Sequence, residues 1–336
     1  MRLTTYFPTI LNAIVLAFFI SPVAIVLSRR LGLIDFPGAS KHKRHDTPTP
    51  MAGGLVIAVS LLLVALLFRW MSSYATLGIL IGTLVIFIFG MLDDLVGFGA
   101  WQKLTGQVLA TAILVITGTQ VRLFTINWIN LALTLLWVIG IVNAYNFVDS
   151  KDGLALGLAG IASGFFLLVT IEAAQPGVAQ LSAGVFGICA GLFYFNLLPA
   201  KLFLGDSGAQ QLGFLMAAIG VAYNPVGLEK LASWYVPIIV LGVPIFDTAL
   251  VVFTRWRRGA KIYQASRDHT YHRLHDLGLE STRAIFTMHL TATVLGFISF
   301  IALTTKAIIG NVIFATAVLT GMVIIVALEK RSKKES

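Results

Sequence analysis

The sequence predicts an all-α, polytopic integral membrane protein. Of its 336 residues, 57% are hydrophobic and only 12% are charged, and the mean hydropathy is +0.89. A soluble domain contains about 25% charged residues, so this composition excludes a water-soluble globular protein. The apolar runs are long and continuous, which favours helices over the alternating strands of a membrane barrel. We therefore expect one membrane-embedded domain over residues 1–336.

The apolar runs predict about eleven transmembrane helices, at about 20 residues per crossing. The first run follows Arg2, and no small-residue cleavage site separates it from Arg29 and Arg30. We therefore expect a retained helix rather than a cleaved signal peptide. The predicted spans are 7–27, 52–69, 74–92, 104–121, 129–148, 154–174, 179–198, 208–224, 231–254, 284–303 and 307–328.

The distribution of basic residues predicts the orientation. On the alternating sides of these spans, 19 of the 24 Lys and Arg residues fall on one side, which the positive-inside rule assigns to the cytoplasm. With an odd number of spans, the N-terminus lies outside and the C-terminus lies in the cytoplasm. The net charge of +9 is explained by these loops, so we expect no nucleic acid partner. The single cysteine, Cys189, excludes an internal disulfide.

Acidic residues gather on the same predicted face, where 13 of the 15 Asp and Glu residues lie in or beside cytoplasmic segments. Acidic residues contribute little to topology, so this clustering needs another reason. Carboxylates beside basic side chains suggest a site that handles a metal ion and phosphates. The expected active-site loops lie near 28–51, 93–103, 149–153, 199–207 and 255–283.

Asp93 and Asp94 end the third predicted span, where hydrocarbon gives way to lipid headgroups. Adjacent carboxylates repel each other and call for a cation or a lysine nearby. The structural alternative is a solvated helix end next to Lys103.

The next predicted cytoplasmic end contains Asn143, Asn146, Asp149 and Asp152. The two asparagines share a helical face at i, i+3, and Asp149 continues that face into the loop. Capping of the following helix by Asp149 or Asp152 is the structural alternative, but it explains neither asparagine.

Two further acids are candidates. Asp206 lies between small residues in Gly205-Asp206-Ser207-Gly208, where a phosphate or Mg²⁺ can approach closely, although ordinary turns use the same residues. Asp247 lies within an apolar run, where an ionisable group is costly and suggests function. A helix-packing acid with satisfied partners is the alternative for Asp247.

The two long loops contain the remaining candidates. The loop after the ninth span has Arg267, His269, His272 and Arg273, which suit a diphosphate substrate. A topology signal or a lipid-headgroup contact is the alternative, and no HExxH motif or cysteine partner supports zinc. The loop at 28–51 is punctuated by Pro and Gly and is expected to be an ordered segment rather than a helix.

Together these motifs resemble the polyprenyl-phosphate N-acetylhexosamine-1-phosphate transferases of glycosyltransferase family 4, in particular the N-acetylglucosamine-type branch. The shared patterns, in order, are Gly-Leu-Ile-Asp-x-Pro and Pro-x-Pro-x-x-Gly-Gly in the first long loop, the Asp pair, Asn-x-x-Asn-x-x-Asp-x-x-Asp-Gly at 143–153, Gly-Asp-Ser-Gly at 205–208, Pro-x-x-Asp at 244–247, and the histidine motif near 269. Tyr271 stands where the family usually has a middle histidine, and Ser150-Lys151 replaces the usual Gly-x before Asp152.

The resemblance implies a role for each candidate. Asp93 and Asp94 are implied to act at the phosphates, and Asn146 and Asp206 to ligate Mg²⁺, with Mn²⁺ as the alternative ion. The implied substrate-binding residues are Lys43, His45, Asn143, Asp149, Asp152, Asp247, Arg267, His269, His272 and Arg273.

The expected reaction is transfer of N-acetylhexosamine 1-phosphate, with N-acetylglucosamine as the favoured sugar, from a UDP-sugar to undecaprenyl or another polyprenyl phosphate, releasing UMP. It would initiate a cell-envelope glycan such as lipopolysaccharide or teichoic acid, from the cytoplasmic face of the plasma membrane. The alternatives are a phospho-muramoyl-pentapeptide transferase of peptidoglycan synthesis and, from another class, a secondary transporter. The expected partners are the two substrates and membrane lipids, and a homodimer is left open.

Overall fold

The computed structural model describes residues 2–36, 47–225, 233–259 and 268–332, and these residues are predominantly helical, which confirms the all-α prediction. The helices are α1 (Phe7–Arg30), α2 (Gly53–Leu67), α3 (Tyr74–Val96), α4 (Ala100–Ile116), α5 (Asn127–Val148), α6 (Leu154–Glu172), α7 (Pro176–Asn196), α8 (Gly205–Ala222), α9 (Val236–Val240), α10 (Gly242–Arg258), α11 (Thr270–Asp276), α12 (Ser281–Leu303) and α13 (Ala307–Ser332). Short 3₁₀ helices cover Leu3–Tyr6 and Trp70–Ser72.

Seven helices among the described residues are long and apolar enough to cross a membrane: α1 with its preceding 3₁₀ turn, α3, α5, α6, α7, α12 and α13. Large apolar side chains face outward along such helices, for example Phe19 at 69% and Val323 at 68% exposure, as expected for contact with lipid. The protein is therefore a multi-pass membrane protein. The count of eleven spans and the orientation stay predictions.

The chain divides into two compact units, Met1–Asn224 and Pro225–Ser336. In the first unit, α8 is the central helix, because every residue from Ser207 to Val221 is buried. Helices α2, α3, α5 and α6 pack around it. Burial on all sides marks α8 as the core helix of this unit.

Helices α5 and α8 run antiparallel. A Cβ on Gly213 would lie 2.7 Å from Cα of Val142, so only glycine permits this close approach. Further along α8, the carbonyl oxygen of Ala217 accepts a 3.1 Å hydrogen bond from Nε1 of Trp137, which lies earlier in α5. The C-terminal end of α5 therefore lies beside the start of α8.

The first long loop begins and ends as a small two-stranded sheet. Strand β1 (Ile34–Asp35) pairs antiparallel with β2 (Thr49–Pro50). Strand β2 also bonds to the segment before α8, where the amide of Phe203 donates to the carbonyl of Pro50 at 2.9 Å. The prediction of a non-helical segment over 28–51 thus holds for the described residues after Arg30, where α1 ends.

In the second unit, α12 packs against α9, α10, α11 and α13. The run at 231–254, predicted as one span, is interrupted at Leu241 between α9 and α10. Pro244 lacks the amide hydrogen that would bond back to the carbonyl of Val240, which breaks the helical hydrogen-bond pattern between α9 and α10. The prediction of a continuous helix there is wrong for this reason.

Candidate active site

Several helix ends of the first unit converge at one end of α8. The last turn of α3 contains Asp93 and Asp94, the first turn of α4 contains Lys103, and α8 begins with Gly205 and Asp206. Ion pairs and hydrogen bonds connect these three ends directly. Asp93, Asp94 and Asp206, three of the acids predicted to share one face of the protein, therefore lie together.

Lys103 joins two of these acids. Its Nζ lies 2.5 Å from Oδ2 of Asp93 and 3.0 Å from Oδ1 of Asp206. Oδ1 of Asp93 also accepts a 2.6 Å hydrogen bond from the amide of Phe98. The Asp93 side chain is only 5% exposed, whereas those of Lys103 and Asp206 are 25% and 33% exposed. A cation thus bridges a buried carboxylate and a more accessible one.

Lys103 was predicted only as a neighbour of the Asp pair, and the structure places it between two acids. The contact with Asp206 joins residues 103 positions apart, so local pattern reasoning could not show it. One signal was present in the sequence, because Lys103 is the one basic residue between Arg69 and Arg122. An isolated charge beside a membrane-embedded acid pair is a candidate partner.

Asp94 has a different environment from Asp93. Its Oδ1 accepts a 2.8 Å hydrogen bond from the amide of Asp206, and its Oδ2 accepts bonds from the Ser207 amide at 3.1 Å and the Ser207 hydroxyl at 2.7 Å. The first amides of a helix have no partner within the helix, and a carboxylate there also interacts favourably with the helix dipole. Asp94 therefore caps α8 from a neighbouring helix and holds Asp206 in place.

Asp149 follows α5 directly and is partly buried. Burial first, and then the negative charges of Asp206, Asp152 and Asp94, raise the pKa of its carboxyl from 3.8 to about 8. These effects place Asp149 within electrostatic reach of the other acids. Such a concentration of negative charge is relieved by a bound cation.

Asn146 lies in the last turns of α5, the helix whose end adjoins the start of α8. Among the described residues, no group of three or more His, Cys, Asp or Glu side chains could hold a metal ion. Mg²⁺, however, is commonly held by one or two carboxylates together with substrate phosphates and water. An aspartate with an accessible carboxylate, beside a helix end that contains an asparagine, therefore fits Mg²⁺ in its chemistry.

Asn143 was expected to bind substrate beside Asn146, and the structure places it in a helix-packing network. Its Nδ2 donates to Oε1 of Gln107 at 2.9 Å and to the carbonyl of Ile139 at 2.8 Å. Asp152 was expected to bind substrate as well, and its Oδ2 accepts a 3.1 Å hydrogen bond from the amide of Ala200. That bond fastens the segment that leads into α8.

In the second unit, Asp247 on α10 contacts the residues that begin α11. Its Oδ2 lies 2.8 Å from Nδ1 of His269, and its Oδ1 accepts a 2.6 Å hydrogen bond from the amide of Thr270. A carboxylate bonded to one ring nitrogen orients the imidazole and sets which of its two nitrogens carries the proton. The alternative reading of Asp247, an acid satisfied by helix packing, describes these contacts equally well.

The other predicted residues of the histidine loop differ in placement. Arg273 is buried, with Nη2 at 3.2 Å from Oε2 of Glu329 and 3.6 Å from Oδ1 of Asp268. His272 is partly buried, beside the ring of Tyr271. Lys43, His45 and Arg267 lie outside the described residues.

Comparison with known proteins finds one family model and a set of related enzymes. The family model described as "Glycosyl transferase family 4" matches residues 76–224, a stretch that contains Asp93 and Asp206 and ends where the first unit ends. The probable undecaprenyl-phosphate N-acetylglucosaminyl 1-phosphate transferase of Bacillus subtilis is 31% identical over 291 residues, covering 83% of this chain and 78% of that protein.

Two further relatives cover even more of the chain. The decaprenyl-phosphate N-acetylglucosaminephosphotransferase of Mycobacterium leprae is 28% identical over 96% of this chain and 90% of its own length. The phospho-N-acetylmuramoyl-pentapeptide-transferase of Oceanobacillus iheyensis is 30% identical over 86% of this chain and 95% of its own length. The relatives thus include enzymes named for two different sugars.

Proposed function

This chain belongs to glycosyl transferase family 4, and we propose that it transfers N-acetylglucosamine 1-phosphate from UDP-N-acetylglucosamine to a polyprenyl phosphate and releases UMP. Relatives that align with most of this chain are named for transfer to undecaprenyl or decaprenyl phosphate, which supports a polyprenyl phosphate as the acceptor. The bias of Lys and Arg to one predicted side supports a site on the cytoplasmic face of the plasma membrane.

The observation that best supports this reaction is the cluster of Asp93, Lys103 and Asp206 at the end of α8. The reaction brings two phosphorylated substrates together, so the site must neutralise negative charge. Lys103 supplies a fixed positive charge, and preorganised charge of this kind is a major source of catalysis in phosphoryl transfer. A transporter site would be expected near the bilayer midplane, whereas these groups lie at helix ends.

In the proposed reaction, an oxygen of the polyprenyl phosphate attacks the β-phosphorus of the UDP-sugar. A P–O bond forms to the lipid phosphate and the bond from the β-phosphorus to the bridging oxygen breaks. That oxygen keeps the electron pair and leaves on UMP. Asp93 accepts the proton of the lipid phosphate or orients that phosphate, and the alternative is a two-step route through a carboxyl phosphate.

Asp206 and Asn146 would hold Mg²⁺, or Mn²⁺ in its place. When bound, the ion supplies positive charge to the diphosphate and to the departing UMP. Asp94 supports this pair by fixing the first turn of α8. Asp149, with a pKa of about 8, adds a carboxyl that a bound cation would ionise.

The histidine loop and the named relatives bear on the choice of sugar. The loop from His269 through Arg273-Leu resembles the N-acetylglucosamine branch, and we retain the assignment of His269, His272 and Arg267 to the nucleotide sugar on that ground. The named muramoyl-pentapeptide relative makes UDP-muramoyl-pentapeptide the second candidate donor. Assaying the purified protein with both donors distinguishes these candidates, because only the correct donor gives a labelled lipid product.

The metal assignment has its own test. Asp206→Asn keeps the size of the side chain and removes the charge that a hard cation requires. Turnover should fall by about 10²-fold or more, as for loss of one key electrostatic group, with an unchanged melting temperature. Asp276→Asn, at an exposed position of α11, is the matched control. Near-normal turnover of Asp206→Asn at ordinary Mg²⁺ would remove Asp206 from the metal site.

A further inference from the structure

One helical turn deeper than the charged cluster, three amide side chains form a chain of hydrogen bonds across α4, α5 and α8. Nδ2 of Asn143 donates to Oε1 of Gln107 at 2.9 Å, and Nε2 of Gln107 donates to Oε1 of Gln210 at 3.2 Å. Gln107 and Gln210 are only 1% and 3% exposed. Buried polar groups are costly to leave unpaired, so these bonds constrain how the three helices can move.

The amide bonds repeat the geometry of the charged cluster. Lys103 contacts Asp206, and Gln107 contacts Gln210, with the same offset of 103 residues in both pairs. Residues four apart lie on one face of a helix. Helices α4 and α8 therefore run in parallel at this face, and a sliding motion that breaks one pair would also break the other.

Apolar packing alone would fix this alignment poorly. Between helices in a membrane no hydrophobic driving force acts, and small residues with interhelical hydrogen bonds determine how helices pair. The next polar residue on this face of α4, Thr111, donates to the carbonyl of Gln107 within its own helix at 2.7 Å. Gln107 is thus a buried residue of α4 whose side chain bonds to both α5 and α8.

We propose that Gln107, through Gln210 and Asn143, is a positioning residue that sets the axial alignment of α4 and α8 and thereby the distance between Lys103 and Asp206. The inference rests on the proposed function, in which these two charged residues serve phosphate and metal. It extends that function to residues that touch neither substrate nor metal.

The test uses the purified full-length protein and three variants. Gln107→Leu removes the central amide, so Gln210 loses its bond to α4 and Asn143 keeps only its bond to the carbonyl of Ile139. The double variant Gln107→Leu/Gln210→Leu removes both partners of the α4–α8 bond, which can be nearly neutral for stability. Thr111→Val is the matched control, because it removes a buried hydroxyl that bonds only within α4. The readouts are melting temperature, the dissociation constant for Mn²⁺ by electron paramagnetic resonance, and turnover.

If Gln107 positions the site, melting temperature should change independently of Mn²⁺ binding and turnover in these variants. Gln107→Leu should bind Mn²⁺ about tenfold more weakly and turn over more slowly, since displacements of about 1 Å can cost 10²-fold in rate. The double variant should regain melting temperature while Mn²⁺ binding and turnover stay impaired, and Thr111→Val should behave as the wild type.

Two results would overturn the proposal. One is recovery of Mn²⁺ binding together with melting temperature in the double variant, which would make the amides purely structural. The other is unchanged Mn²⁺ binding in Gln107→Leu. Failure of the proposed function would show separately, as absence of lipid product from the wild-type protein with every UDP-sugar, because melting temperature and Mn²⁺ binding do not depend on transfer.

Discussion

Asp94 is predicted to act by holding the first turn of α8, and Asp94→Asn tests this role. The carboxylate accepts three hydrogen bonds, from the amides of Asp206 and Ser207 and from the Ser207 hydroxyl. Asparagine offers one oxygen and an NH₂ group that cannot accept. At least one bond to a charged acceptor is therefore lost, and the NH₂ group faces a donor.

The size of the effect follows from these bonds. A hydrogen bond to a charged group contributes about 1.5–3 kcal/mol, so the first turn of α8 should open about 2 kcal/mol more easily. That difference corresponds to an increase of about 30-fold in the open population. Because the two backbone amides have no partner within the helix, their hydrogen exchange should accelerate by the same factor.

Hydrogen exchange measured by mass spectrometry on overlapping peptides that contain Asp206 and Ser207 provides the assay. Exchange should accelerate at the start of α8 and stay unchanged in α6, and turnover should fall because Asp206 is displaced. The exposed substitution Asp276→Asn is the control. Unchanged exchange at Asp206 and Ser207 would refute the capping role, and equal acceleration in α6 would indicate global destabilisation instead.

Three other predictions follow from the described contacts. The folded protein retains a proton on Asp149 up to a pKa of about 8, which the unfolded chain releases near 3.8, so stability is lost as the pH rises through this range. The melting temperature of Asp149→Asn should therefore rise relative to wild type between about pH 5 and pH 8; a constant difference would contradict this. Glu329→Gln removes a buried carboxylate shared by two arginines and should lower the free energy of unfolding by about 3 kcal/mol. The exposed substitution Glu280→Gln is the control and should leave it unchanged. Equal denaturation midpoints for Glu329→Gln and the wild type would contradict this prediction. Gly54→Ala places a Cβ 2.4 Å from the hydroxyl oxygen of Ser207 in α8 and should lower the free energy of unfolding by about 1–3 kcal/mol. Gly140→Ala has open space around the new Cβ and should not destabilise the protein.

The sequence allowed the fold class to be predicted because composition and the length of apolar runs are decisive in a membrane protein. The break between α9 and α10 was harder to predict. Pro244 lies inside an apolar run, and hydropathy alone does not register the missing amide hydrogen that ends α9 at this point.

The site was predictable as a set of residues but not as a set of roles. Asp93 and Asp94 are adjacent in sequence and chemically identical, yet one pairs with Lys103 and the other caps α8. The partners differ because side chains of successive residues on a helix point in different directions. The importance of Lys103 and Gln107 depends on contacts with residues 103 positions away, which sequence spacing does not reveal.

The most direct test of the proposed reaction follows the phosphorus atom. UDP-N-acetylglucosamine labelled with ³²P in the β-phosphate is incubated with the purified protein, polyprenyl phosphate and Mg²⁺, and the lipid is extracted. Transfer of the sugar 1-phosphate moves the label into the lipid and releases unlabelled UMP, which is the predicted result. Label that stays in the aqueous phase as UDP, with sugar appearing in the lipid, would contradict the account, because it would mean that the enzyme breaks the bond between sugar and phosphate.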